Sequence, residues 1–142
     1  MTDMDTAALF SFPPAKDPKL MNPLALAFIG DAVYDLFIRQ YVASMPNHRP
    51  HHLHRESTKY VSAKAQARAL SELMPLLNEE ELDIVRRGRN AKSGTVPKNT
   101  DVQISRHGTA FECLVGYLYY CKEFSRLQEI LTASLHVNSG QG

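Results

Sequence analysis

Two acidic residues stand where acids are costly. Asp31 falls in the stretch from Asn22 to Tyr41, NPLALAFIGDAVYDLFIRQY, where nearly every other position is apolar. Glu112 falls in TAFECLVGYLY, with Gly108 and Gly116 four residues before and after it. An ionised carboxylate in apolar surroundings is unfavourable unless it is paired, hydrogen-bonded or bound to a metal. Taken alone, Asp31 reads equally well as a core acid satisfied by an arginine or by backbone amides. The glycines around Glu112 carry the argument further. They clear side chains from its own helical stripe so that a second helix can approach, and Gly30 beside Asp31 is the natural counterpart. A crossing there brings Asp31 and Glu112 together, and a divalent cation would resolve the repulsion between them. Mg²⁺ suits such a pair, since it is held by one or two carboxylates, waters and phosphate oxygens.

The elements that must position these acids are helical. Asn22 caps and Pro23 opens a helix over the Asp31 stretch, with Leu26, Ile29, Val33 and Leu36/Phe37 on one stripe and Ala27, Tyr34, Ile38 and Tyr41 on another. A helix apolar on two sides is a central one. Asp35 precedes Arg39 by four residues, the favourable order for an ion pair. A second helix is expected from Pro50 to about Tyr60. His48, His51 and His52 would share its face, a spacing that admits zinc, although a solvated helix end is the simpler reading. Val61 to Leu77 reads as one helix, with Val61, Ala65, Ala69, Leu70, Leu73 and Leu77 inward and Lys64, Gln66, Arg68 and Glu72 elsewhere. Asn78 and Glu81 form a capping box for a helix ending at Gly88 or just beyond. Asp101 caps the helix that carries Glu112, running to about Cys121, and Ser125 with Gln128 starts the last one, after which HVNSGQG should fray. No strand alternation is present, so the fold class is all-α.

Charge is locally concentrated. The net charge is only +1, yet Arg86, Arg87, Arg89, Lys92 and Lys98 follow one another with no acid between them. The arginines precede and the lysines lie within AKSGTVPKNT, a stretch with turn chemistry and hydroxyls. Fixed cations beside hydrogen-bond donors such as Asn90, Ser93 and Asn99 fit a phosphate backbone better than an ordinary solvated loop.

At 142 residues the chain is expected to form one domain, 21–137, preceded by a Pro-broken arm over 1–20 and followed by a flexible tail over 138–142. No apolar run is long enough for a membrane span, and the start lacks a secretory pattern. Cys113 and Cys121 lie about 12 Å apart along one helix, too far for a disulfide. A reducing compartment is expected, cytoplasmic or its organelle equivalent. There is no Gly-rich phosphate loop and no serine or cysteine nucleophile motif.

AFIGDAVYDL resembles the signature helix of the ribonuclease III endonuclease domain, and TAFECLVGYLY its second acidic helix. VSAKAQARAL and RRGRNAKSGTVPKNTDVQ narrow the resemblance to the short subfamily, Mini-ribonuclease III, which lacks an appended double-stranded-RNA-binding domain. The likeness covers residues 20 to about 135. It implies a homodimeric all-helical endoribonuclease that cuts double-stranded RNA to 5′-phosphate and 3′-hydroxyl ends, trimming the large-subunit ribosomal RNA precursor, with a ribosomal protein as a further candidate partner. It implies Asp31 and Glu112 as catalytic and metal-binding residues, Mg²⁺ as cofactor with Mn²⁺ as substitute, and Phe28 at the dimer interface. Arg86, Arg87, Arg89, Asn90, Lys92, Ser93, Lys98, Asn99 and Lys64 are the candidate RNA-binding set. Two positions depart from the larger enzymes, which carry a glutamate where Ala27 stands and an aspartate where Thr109 stands. The alternative is a non-catalytic RNA-binding or ribosome-associated protein of the same fold, favoured if those two losses abolish metal binding.

Overall fold

The caps chosen by the sequence set where the helices begin. In the computed structural model, which describes residues 10–91 and 101–140, Asn22 accepts the Leu24 amide at 2.8 Å and Pro23 opens α1 (Pro23–Ala43). α2 (Pro50–Val61) likewise starts on a proline. α3 spans Ala63–Leu73 and α4 spans Glu79–Asn90. At the start of α4 the capping box closes in both directions, Glu81 N–H to Asn78 Oδ1 at 2.8 Å and Asn78 N–H to Glu81 Oε1 at 3.0 Å. Asp101 caps α5 (Val102–Tyr120) through the Gln103 and Ile104 amides, and α6 (Phe124–Ser139) completes the chain. Short 3-10 turns occupy Pro18–Leu20 and Met74–Leu76. No strand occurs among the described residues, so the molecule is all-α as the sequence predicts.

α5 is the axle of the core. Phe111, Leu114 and Val115 are fully buried, and α1 makes the most extensive contact with it, with α3 and α4 on its other sides. On α1 the stripe of Ala27, Tyr34 and Ile38 is buried, whereas Ile29 and Val33 are half-buried and Leu36 is exposed. Tyr34 meets Phe111 edge to face at 4.9 Å between ring centres and donates its hydroxyl to the Tyr60 carbonyl at 2.9 Å. Among the described residues no helix is long and apolar enough to cross a membrane.

Two boundaries differ from the sequence expectation. The segment 61–77 is not one helix: Ser62 is extended, ends α2 and caps α3 by accepting the Ala65 amide on Oγ at 3.2 Å. α4 ends at Asn90, just beyond Gly88 as expected, and Gly88 itself serves helix packing, since a Cβ there would fall 2.9 Å from Ala110 Cα. The last helix begins at Phe124 with no side-chain cap, so the Ser125–Gln128 box is not used, and it continues through the expected fraying point to Ser139. Asn138 is the reason. It is 1% exposed, donates to the Ala65 carbonyl at 3.1 Å and accepts from Arg68 Nη1 at 2.6 Å.

Candidate active site

The crossing of α1 and α5 occurs at the glycines. A Cβ on Gly30 would lie 1.7 Å from the Glu112 carbonyl oxygen, and one on Gly116 would lie 1.9 Å from the Leu26 carbonyl oxygen. Backbone touches backbone, which only glycine permits. Gly108 serves a different neighbour, since its nearest surroundings are Gln66 and Ala63 of α3.

Asp31 follows Gly30 by one residue and so stands about 100° around the helix from the contact point. It therefore sits at the rim of the crossing and is exposed, contrary to the expectation of a buried acid. Glu112 is half-buried beside it. Burial first, then hydrogen bonding and charge from Asp31, push the Glu112 carboxyl up to about 8. Asp31 thus disfavours the charged form of Glu112, which is the conflict that a cation would remove.

One polar group supports Glu112 that sequence reasoning did not place there. Gln66 was expected on the outward side of its helix, yet it is 4% exposed and its Nε2 donates to Glu112 Oε2 at 3.4 Å and to the Val61 carbonyl at 3.3 Å. Gln66 lies one turn before Leu70, on the side of α3 that Ala65, Ala69, Leu70 and Leu73 bury. A signal existed: residues four and seven apart share a helix face, which aligns Gln66 with Leu70 and Leu73.

The other sequence candidates divide. Asp35 pairs with Arg39 at 2.9 Å, as its spacing predicts. Ala27 is buried in the core, and the Thr109 hydroxyl donates to the Ser105 carbonyl at 3.1 Å. Phe28, one turn before Asp31, is 78% exposed. Arg86 pairs with Asp83, and Arg87 donates to the carbonyls of Lys19 at 2.8 Å and Met21 at 2.9 Å, tying the approach to α1 onto α4. Arg89 is half-buried and Asn90 exposed at the end of α4, and Lys64 is exposed near the start of α3. Lys92, Ser93, Lys98 and Asn99 lie outside the described residues.

Among the described residues no three His, Cys, Asp or Glu side chains converge on one point, the histidines around His51 included. The donor set at the crossing is two carboxylates, all oxygen. It does not match the four-ligand thiolate and imidazole sites of structural zinc, but it fits a hard cation that keeps several waters.

The comparisons with known proteins agree in direction. The family model for the ribonuclease III domain matches residues 24–123. The chain is 54% identical over 117 residues to the Mini-ribonuclease 3 of Thermoanaerobacter sp. (strain X514), covering 82% of each chain. It is 48% identical over 126 residues to the Mini-ribonuclease 3 of Brevibacillus brevis, covering 89% of this chain and 94% of that one. A crystal structure of a Fusobacterium nucleatum protein, 30% identical, superimposes with a TM-score of 0.77 over 86% of this chain and 98% of that one.

Proposed function

Because the chain belongs to the ribonuclease III family, we propose that it is a divalent-metal-dependent endoribonuclease that hydrolyses phosphodiester bonds in double-stranded RNA. The observation that carries this reading is the placing of exposed Asp31 beside half-buried Glu112 at a crossing built from glycine. Asp31 and Glu112 would hold Mg²⁺, with Mn²⁺ as substitute. When bound, the ion would supply positive charge to a phosphate and make a water acidic enough to act as nucleophile. Glu112 must give up its proton to receive the ion, and its burial excludes competing water from one side of the site. The open side at Asp31 leaves room for a substrate phosphate.

The cations at the end of α4 and Lys64 on α3 would grip the RNA backbone, as would the basic stretch that follows α4. Recognition would rest on A-form shape and 2′-hydroxyls, because the deep groove of RNA hides base edges. An exposed phenylalanine one turn from the acid supports pairing of two copies along α1, which would give one centre to each strand of a duplex. Maturation of the large-subunit ribosomal RNA precursor in the cytoplasm or an organelle stroma, with a ribosomal protein assisting, is the biological setting this reading favours.

Labelled RNA duplex and its separated strands, incubated with wild type and Asp31→Asn in Mg²⁺ or chelator, test it. Duplex-only cleavage that needs the metal and is lost in the variant is expected. Duplex binding without cleavage would instead favour the non-catalytic RNA-binding protein, with Ala27 and Thr109 as the reason.

A further inference from the structure

Gln66 is a buried amide at the acid pair that the hydrolytic chemistry of Asp31 and Glu112 does not itself require. Burying a primary amide is costly unless its hydrogens are used. The Nε2 group has two, and the structure gives each an acceptor, the Val61 carbonyl and Glu112 Oε2. The Val61 carbonyl is available for a definite reason. In a continuous helix it would accept the Ala65 amide, but that amide is turned to Ser62 Oγ. The helix break and the amide thus form one device, aimed at Glu112.

We propose that Gln66 is a positioning residue: anchored on the Val61 carbonyl, it holds the Glu112 carboxylate in place beside Asp31 to receive the divalent cation. This role rests on the metal-dependent reading of the acid pair. Hydrogen bonds from outside the ligand set orient metal-binding carboxylates, and losing them weakens metal binding by roughly 10–100-fold. An amide suits the task because it neither gains nor loses charge across the working pH range. A glutamate there would add a third negative charge, and a leucine would leave two acceptors unsatisfied.

The test is Mn²⁺ titration of the RNA-free protein by calorimetry for wild type, Asp31→Asn and Gln66→Met, with folding checked by circular dichroism. Gln66→Met is expected to bind Mn²⁺ about tenfold more weakly or worse. A merely structural glutamine would lower the unfolding temperature while leaving the affinity of the folded protein unchanged. A folded Gln66→Met with wild-type affinity overturns the role, even where wild type binds Mn²⁺ and Asp31→Asn does not. A wild type that binds no Mn²⁺ overturns the metal reading and this role with it. Should Gln66→Met not fold, ¹⁵N-glutamine labelling of the wild type decides the matter. The Gln66 side-chain amide signals are expected to move on Mg²⁺ addition, but not in Asp31→Asn, and their failure to move overturns the proposal.

Discussion

Gly30 and Glu112 are in direct backbone contact, so close that a Cβ on the glycine would fall 1.7 Å from the Glu112 carbonyl oxygen. No rotamer change relieves such an overlap, so Gly30→Ala must part α1 from α5. We expect a loss of about 3 kcal/mol or more in urea unfolding, with activity lost as Asp31 and Glu112 separate. Gly116→Ala, which meets the Leu26 carbonyl, should behave alike. Gly108→Ala meets nothing closer than 3.4 Å and should be neutral or stabilising by up to about 1 kcal/mol. Equal tolerance of alanine at all three positions would show that the crossing is not held by its glycines.

The acid pair sets a pH dependence whose sign is definite. Glu112 is raised from 4.5 to about 8, mainly by burial and then by Asp31, so between those values the folded protein binds more protons than the unfolded chain. The contribution of Glu112 to the stability of the metal-free protein is therefore full below 4.5 and falls as pH rises toward 8. A fall on the order of a few kcal/mol is expected, visible as a declining urea midpoint in chelator. Glu112→Gln should flatten this slope and abolish cleavage. Added Mg²⁺ should stabilise the wild type increasingly as pH rises, because the ion needs the deprotonated carboxylate.

The acids and their helices were legible in the sequence because local chemistry determines them. Asn22, Asn78 and Asp101 cap where their side chains allow, and glycines at fixed offsets announced the α1–α5 crossing. The exposure of Asp31 was not legible, because a one-residue offset from Gly30 decides between core and rim, and periodicity alone does not locate the centre of a contact. Gln66 escaped for a different reason. It stands four residues before Leu70 and seven before Leu73, on the side of α3 that is buried, but its polar side chain set it apart from that apolar stripe. Arg87 looked like part of one basic patch, yet its guanidinium is committed to backbone carbonyls before α1. Composition counts charges without showing which are engaged.

Glu81 and Arg126 supply the opposite pH behaviour. Glu81 is 3% exposed and takes two hydrogen bonds from Arg126, at 2.8 and 2.7 Å, while the same guanidinium donates to the Leu76 carbonyl at 2.8 Å. Arg126 first, with the Asn78 amide also helping, holds the Glu81 carboxyl below its ordinary range against the cost of burial. This pair therefore stabilises the fold above the ordinary carboxylate pKa and is lost as pH falls through the lowered one. Arg126→Ala strands a buried charge and should cost about 3–5 kcal/mol near neutral pH. Most of that cost should vanish in acid, where Glu81 takes a proton in either protein. A penalty independent of pH would mean that the loss is one of packing.

RNA binding should separate the cations by what each already does. A residue that neutralises a phosphate steepens the salt dependence of binding, and removing it lowers the slope of log K against log salt by about 1. Arg89→Ala and Lys64→Ala are expected to do this without lowering the unfolding temperature, since Lys64 is exposed and Arg89 half-buried at a helix end. Lys92→Ala should do likewise if the basic stretch beyond α4 tracks the backbone. Arg87→Ala should differ in kind. Its loss frees the carbonyls of Lys19 and Met21, so the unfolding temperature should drop and cleavage should weaken through misplacement of α1. An unchanged salt slope in Arg89→Ala, Lys64→Ala and Lys92→Ala, measured by filter binding to a labelled duplex, would remove these cations from the RNA-binding surface.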